Sequence, residues 1–504
     1  MNMNEITLLY ARNLITRRTT PARQMLNFVM LVANLAYDKD VHVSWAGEDE
    51  VWHKLPASFH ATADDGASEY WVAQASFTLD EDATLPGNVR FALCHRSRNA
   101  EYWDNNQGSN YAMDADCGIL LGNQRQLISS ALDAVLATGQ KEIALTVTLR
   151  NSLPARRVTL HWTTDNWQTA RKTPYRFRRN YWDNEWLSNA RNPNQYGYQV
   201  WHTTLKAADA FRIQYRIACE TAQQVIWDDN AGADYTLQRP PLKVLILNLH
   251  CCQEENQDRK LSLIARAIDE LAVDIVCLQE VAELWNDGRG DWQSNTARII
   301  NERLAAPFQL VTDWSHKGFE RYREGVAILS RHPIARHQAR FVSTAQDPHS
   351  IHTRKVVMAQ IKVPHLGLLN VFSSHLSWWN DGFAEQFDNL RRWATDEHTA
   401  HVAASLLCGD FNIEAGSRGY RFVVDSHEYD DQYLRAVSPQ VFRSVFRPDG
   451  APSYDGLRDD RRIDYVFLRR GSALRAVSGR VVFNDHDYGR VSDHCGYLLS
   501  FAAP

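Results

Sequence analysis

The chain has 504 residues, 44% hydrophobic and 23% charged, a globular composition on a length that exceeds one ordinary domain, so two or three domains are expected. A net charge of −5 without any lysine-rich tract leaves out the broad basic surface of a processive nucleic-acid binder and weighs mildly against a nucleic-acid substrate. No apolar run reaches membrane-spanning length, and the start, MNMNEITLLYARNLITRR, flanks a short apolar patch with charge; neither signal peptide nor anchor is expected, and the expected location is cytoplasmic, with no membrane partner. The eight cysteines are scattered, several inside apolar runs (Cys277 in IVCLQE, Cys408 in LLCGDF), which suits small buried side chains and a reducing compartment. Cys251-Cys252 has no CxxC partner with which to hold a structural zinc.

Residues 1–24 are polar and basic with Pro21, and are expected to form a tail or an edge element. From 25 to 123 short alternating runs, VHVSW, YWVAQASFTL and VRFALCH, are separated by Asp, Gly and Pro clusters, the pattern of an antiparallel β-sandwich. YWDNNQGSNY (Tyr102 to Tyr111) returns as IWDDNAGADY (Ile226 to Tyr235), and VSWAGEDEVW (Val43 to Trp52) returns more loosely as LHWTTDNW (Leu160 to Trp167). An internal duplication means two copies of one module. The second copy is expected over 124–239, opening with a connecting helix in QRQLISSALDAVLATG, and Pro240-Pro241 marks the next boundary.

Ten of the sixteen tryptophans precede Pro240. Trp45 and Trp162, each inside an alternating strand, are expected in the core. An aromatic face offers apolar contact to a pyranose ring while nearby amides bond its hydroxyls, so Trp52, Trp103, Trp167 and Trp227, with Asn105, Asn106, Asn110 and Asn230, are the candidate carbohydrate-binding residues. On the Trp-Asp-Asn-Asn run at Trp103, its copy at Trp227 and the two tryptophan pairs, both modules resemble carbohydrate-binding module family 21. That resemblance implies binding of starch or glycogen. The second copy departs from the first by Asp229 in place of Asn105 and Asp234 in place of Asn110, which weakens the expectation of sugar binding there; its insertion from Arg178 to Tyr198 is rich in aromatics and amides and offers another platform.

The remainder, 240–504, is a series of β-rich runs that each deliver a polar residue: Asn248 in KVLILNLH, Glu280 in DIVCLQE, His375 in NVFSSH, Asp410 and Asn412 in LLCGDFN, Asp464 in RRIDYVFLR, and Asp493-His494 in VSDHCG. Buried strands handing polar side chains to one cleft is how layered α/β proteins build sites. Leu261, Ile264, Ile268 and Leu271 recur at helical spacing and lay one apolar face on the sheet. GVAILSRHPI is read as architectural, and the basic residues His316, Lys317, Arg321 and Arg323 before it, with Arg354-Lys355 after, as either phosphate contacts or a solvated face. Trp378 and Trp379 offer a stacking surface or a cap on the core.

In this order these motifs resemble the endonuclease/exonuclease/phosphatase superfamily, whose fold is that of DNase I, an α/β four-layer sandwich. EENQ and HLSWW bring the resemblance nearest to its maltose-6'-phosphate phosphatase branch. The resemblance implies a divalent metal, Mg²⁺ with Mn²⁺ as the alternative, at Asn248, Glu280 and Asp493, and catalytic roles for the others. His375 and Asn412 would bond the phosphoryl group, Asp410 would activate water, and Asp464 would hold His494 protonated. Arg321 and Arg354 are the candidate phosphate contacts. His250 stands where many nucleases of the superfamily have a second acid. The expected function is a metal-dependent phosphomonoesterase acting on phosphorylated α-glucan or oligosaccharide, targeted by its two β-sandwich modules. The rival enzyme is a nuclease or phosphodiesterase of the same fold, and the rival non-enzyme is a glycogen-bound scaffold.

Overall fold

Alternating strands build the first half of the protein and longer apolar strands the second. The structure, a computed structural model, describes residues 5–503 except 18–19, 37, 64–66, 81–83, 98–99, 124, 130–135, 138–139, 178–189, 207–209, 231, 251, 287, 437–461 and 486. It divides into two units, Met1–Arg239 and Pro240–Pro504.

In the first unit each module is a pair of antiparallel sheets. The first module sets Gly118–Leu121, Ile6–Thr16, Arg23–Ala33, Ser68–Thr78 and Ser58–Thr62 against Trp52–Pro56, Lys39–Ala46, Val89–Ser97, Ala100–Asp104 and Tyr111–Met113. Leu8, Phe28 and Met30 from one sheet and Val43, Phe91 and Leu93 from the other are wholly buried together. The expectation of a tail at 1–24 is corrected: Ile6–Thr16 is hydrogen-bonded to a strand on each side. Both its faces are covered, Leu8 and Ala11 by the sandwich core and Leu9, Tyr10 and Leu14 by a second cluster. Two-sided burial erases the alternation that reveals a strand.

The second module repeats the plan. Leu127–Ser129, Glu142–Arg150, Tyr198–Lys206 and Arg176–Phe177 form one sheet, and Arg171–Pro174, Arg157–Thr163, Arg212–Glu220, Val225–Asp228 and Tyr235–Gln238 the other. The connecting helix is corrected in its first part, since Leu127–Ser129 is a strand pairing with Glu142–Arg150; pairing overrides weak local propensity. Most of its remainder, 130–135 and 138–139, lies outside the described residues, as does the aromatic insertion over 178–189. The second apolar cluster joins the modules, with Leu9, Tyr10 and Leu14 packed with Ile128, Tyr198 and Val200. The Tyr70 hydroxyl donates to Asn230 Oδ1 at 2.9 Å across the same junction.

Part of the duplicated motif serves this fold. Asp104 accepts the Tyr111 hydroxyl at 2.9 Å and the Leu8 N–H at 2.8 Å, tying one sheet to the other. Asp228 does the same for the Tyr235 hydroxyl and the Ser129 N–H. Tyr111 stacks on Phe91 as Tyr235 stacks on Tyr215.

The second unit contains two sheets, each with one parallel pair at its heart: Leu242–Asn248 with Ile275–Asn286, and Gly367–His375 with Val402–Asp410. The first sheet is extended by Gly496–Ala502 and Arg475–Val482 on one side and by Tyr322–Ser330 and Gln309–Gly318 on the other. The second is extended by Lys355–Val363 and Ile334–Phe341, and by Asp464–Arg469 and Tyr429–Asp431. The helices Gln257–Glu270 and Thr296–Glu302 cover the first sheet, with Leu261, Ile264 and Ile268 in its core. Phe383–Glu397 and Arg418–Val424 cover the second through Phe383, Phe387 and Leu390. The inner faces meet, where Ser373 Oγ donates to the Leu278 carbonyl and accepts from the Gln279 amide, both at 3.1 Å. This is the α/β four-layer sandwich.

Candidate active site

The C-terminal ends of the two parallel pairs converge on Asn248. Its side-chain amide donates to Glu280 Oε1 at 2.9 Å and to Asp410 Oδ2 at 3.0 Å, while its oxygen accepts the His250 N–H at 2.9 Å. One asparagine therefore links a carboxylate from each sheet.

Glu280 owes its position to a bulge. Pairing with Tyr322–Ser330 shifts between Leu278 and Val281, and Glu280 takes φ 49°. The extra residue lifts its carboxylate out of the ladder. His250 and Asn412 also occupy the left-handed region, at φ 55° and 50°, a conformation that clusters at functional positions. Gly409 has φ 129°, and a Cβ there would lie 2.2 Å from the Ser374 carbonyl oxygen, so only glycine lets the two strands approach before Asp410.

Asp410 is buried opposite Asp464. Its Oδ1 accepts the Asn412 N–H at 2.8 Å, and its Oδ2 lies 3.7 Å from His375 Nε2 and 3.8 Å from His494 Nε2. His494 Nδ1 is 2.7 Å from Asp464 Oδ2. Burial and the Asp464 charge push the Asp410 carboxyl above its ordinary range, against the His494 charge and the Asn412 and Asn248 hydrogen bonds. Burial and the Glu324 charge push Glu280 up likewise. Burial alone would lower His494, but the charge and hydrogen bond of Asp464, then Asp410 and Asp493, raise it to about 11, so it is protonated across the neutral range. Burial, with the charges of Arg354, His316 and His494, holds His375 well below the usual histidine range and hence neutral.

Of the expected metal set, Asn248 bonds Glu280, and among the described residues the acidic and histidine side chains around them fall into three groups that could hold a cation. Glu280, Glu324 and His375 offer ligand atoms within 4.8 Å of one another, as do Asp410, Asp464 and His494. Asp493 instead joins His250 and Glu254 in a third group, with its Oδ1 3.7 Å from His250 Nδ1. Its side chain projects from the turn after Ser492 and is half exposed, whereas Glu324 is buried beside His316, whose Nε2 lies 3.4 Å from Oε1. Glu324 is the residue that sequence reasoning missed, and His316, read there as a phosphate contact or part of a solvated face, is buried.

Of the two candidate phosphate contacts only Arg354 reaches the cluster. It is 3% exposed, donates from Nε to Ser377 Oγ at 3.4 Å, and feels the charges of Glu324, Asp410 and Glu280. Arg321 is exposed on a turn, its guanidinium 5.3 Å from the Tyr322 ring. Lys317 and Arg323 both pack on the Trp285 ring at 4.6 Å. Asn412 donates one amide hydrogen to the Leu376 carbonyl at 2.9 Å, which leaves the other for a ligand. Trp379 caps the core against Phe383 and Phe422, whereas Trp378 is exposed.

In the modules Trp45 and Trp162 are buried, as expected, and Trp52, Trp103 and Trp227 are 51%, 46% and 44% exposed. Trp167 is half-buried, its indole nitrogen donating to Asp234 Oδ2 at 2.7 Å. Each amide also makes a bond within the turn: Asn105 Oδ1 accepts the Gly108 N–H, Asn106 Nδ2 donates to the Asn110 carbonyl, and Asn230 Nδ2 donates to the Asp234 carbonyl. Asn110 sits at φ 57° closing the same turn.

Residues 245–494 match the Endonuclease/Exonuclease/phosphatase family, and residues 11–114 and 126–238 each match the Carbohydrate/starch-binding module (family 21). Among solved structures, an endonuclease/exonuclease/phosphatase family protein from Leptotrichia buccalis is 26% identical, with a TM-score of 0.44 over 52% of this chain and 99% of that one. One from Beutenbergia cavernae is 24% identical, with a TM-score of 0.40 over 53% and 72%. A mannosyl-6-phosphatase from Bacteroides thetaiotaomicron is 14% identical, with a TM-score of 0.40 over 52% and 99%. No curated protein matches the chain. Residues 245–494 thus form a phosphoesterase domain of the endonuclease/exonuclease/phosphatase family, and two starch-binding modules of family 21 precede it.

Proposed function

We propose that this protein is a Mg²⁺-dependent phosphomonoesterase that removes phosphate from phosphorylated α-glucan, whether polymer or a short maltose phosphate, and that its tandem modules hold it on the glucan in the cytoplasm. The observation that carries the metal dependence is an excess of carboxylate. Glu280, Glu324, Asp410 and Asp464 outnumber the cations Arg354 and protonated His494, and Asp464 Oδ1 is buried without a hydrogen-bond partner among the described residues. A divalent cation fits that donor set, with Glu280 and Glu324 as its oxygen ligands. When bound, it supplies neutralisation of the charge that develops on the phosphoryl group.

The protein's own residues do the rest. Asp410, oriented by Asn248 and the Asn412 N–H, accepts a proton from the water whose oxygen attacks phosphorus. Protonated His494, fixed by Asp464, donates to the sugar oxygen as its bond to phosphorus breaks. The remaining Asn412 amide hydrogen bonds a phosphoryl oxygen. Neutral His375 does so only through whichever ring nitrogen carries its proton. Phosphate release, with Mg²⁺ and with chelator, across maltose 6'-phosphate, phosphorylated glycogen, plasmid DNA and an inositol phosphate tests the reading. Cleavage of DNA in preference to the sugar esters establishes the nuclease alternative instead.

Two further results are expected. Deleting residues 1–239 leaves a folded enzyme active on small phosphate esters, because Pro240–Pro504 contains every strand of both catalytic sheets; its preference for polymer disappears. Full co-sedimentation of the truncated protein with glycogen would remove the targeting role from the modules. Trp103→Ala weakens glycogen binding roughly ten- to hundredfold, more than Trp227→Ala does. An unchanged melting temperature accompanies that loss, since Trp103 is half exposed rather than a buried prop.

A further inference from the structure

The two modules differ on the outer face of one sheet. In the first, Lys54, Ser44 and Ala92 are cross-strand neighbours in a row just before the core residue Trp45. In the second, the row just before Trp162 is Lys172, His161 and Arg216. The tryptophan of the repeat shares that face in both copies: Trp103 lies across from Cys94, two residues from Ala92, and Trp227 across from Ala218, two residues from Arg216.

The change fills the second module's aromatic pair with a cation. The Arg216 guanidinium lies 4.6 Å from the Trp167 ring and 5.2 Å from the Trp227 ring. His161 stands edge-on to Trp227 at 4.8 Å. Arg216 Nε is buried without a hydrogen-bond partner among the described residues. The nearby acid, Asp234, feels the Arg216 charge, but its Oδ2 is committed to the Trp167 indole. Arginine packed against aromatic rings can still turn its terminal N–H groups to an anion, and its fork matches a phosphate. A neutral glucan offers that guanidinium only uncharged oxygen acceptors. A phosphomonoester, close to doubly charged near neutral pH, gains charge-assisted hydrogen bonds.

We propose that Trp167, Arg216 and Trp227, with His161 and Lys172, form a binding site for α-glucan carrying a phosphomonoester, while the first module takes unmodified glucan. This rests on the glucan-binding reading of the modules and gives the second one its own ligand. The protein then holds the polymer where phosphate is present.

The test uses the full-length protein carrying Asp410→Asn, so that phosphate stays on the polymer, and measures affinity for phosphorylated amylopectin and for the same polymer stripped of phosphate. The parent is expected to favour the phosphorylated polymer about tenfold. Arg216→Ala removes most of that preference with neutral binding unchanged, Arg216→Lys keeps part of it, and Trp227→Ala weakens the phosphorylated polymer most. An undiminished preference in Arg216→Ala overturns the proposal. Equal loss of both polymers with a lowered melting temperature also overturns it, because the arginine is then only a prop between rings. Millimolar inorganic phosphate binding as tightly as the polymer, in an Arg216-dependent way, replaces the glucan ligand with the free ion and overturns it too. If the parent binds neither polymer, the glucan reading falls with it. Hydrolysis of small esters, followed in the protein with native Asp410, is expected to be unaffected by Arg216→Ala, so failure of the phosphatase reading registers separately.

Discussion

Glu280→Gln is expected to cost orders of magnitude in phosphate release while the fold persists, with a melting temperature in chelator equal to or above that of the parent. The carboxylate is pushed upward by burial and by the Glu324 charge, so removing its own charge relieves repulsion when no cation is present. The amide keeps the shape and an oxygen for Asn248 to donate to. What disappears is charge for the cation. The rise in melting temperature that Mg²⁺ gives the parent should therefore shrink in the variant, since only binding to the native state stabilises it. Near-parental turnover at saturating Mg²⁺ would remove Glu280 from the ligand set.

Asp410→Asn is expected to lower turnover by roughly 10²- to 10⁴-fold, the range for a positioned acid–base group. The variant also predicts a pH effect of definite sign. Asp410 is among the charges that raise His494, so neutralising it lowers the histidine. The alkaline limb of the residual activity, where His494 loses its proton, then moves to lower pH. An alkaline limb that stays in place would separate His494 from the proton-donating role, and turnover close to that of the parent would dismiss Asp410 as the base.

Much of this site was legible because parallel strands deliver their C-terminal residues to one edge. Asn248, His375 and Asp410 close apolar runs, and Glu280 follows one closely enough for the bulge to present it at the same place. The same logic conceals Glu324. It lies near the start of Tyr322–Ser330, a strand antiparallel to Ile275–Asn286, so its head rather than its tail faces the cleft. An acid immediately before GVAILS was the available signal, and it needed the pairing direction to be read. Arg354 has the same relation to Lys355–Val363. Ile6–Thr16 escaped for a different reason, since partners on both faces left no polar stripe to read. The turn amides serve the loop as well: Asn105 accepts within it through Oδ1, and Asn106 and Asn230 each give it one amide hydrogen, a duty that the sequence does not display.

The apolar cluster that Leu9, Tyr10 and Leu14 share with Ile128, Tyr198 and Val200 bears on avidity. Two modules on a floppy tether would search for their second contact through a large volume, and most of the gain from tandem binding would be diluted away. Joined through a common core, they present the second aromatic face at a set separation as soon as the first is occupied, which raises its effective concentration without new contacts. Affinity should then rise not gradually with the number of glucose units but in a step, at the shortest oligosaccharide able to bridge the two faces.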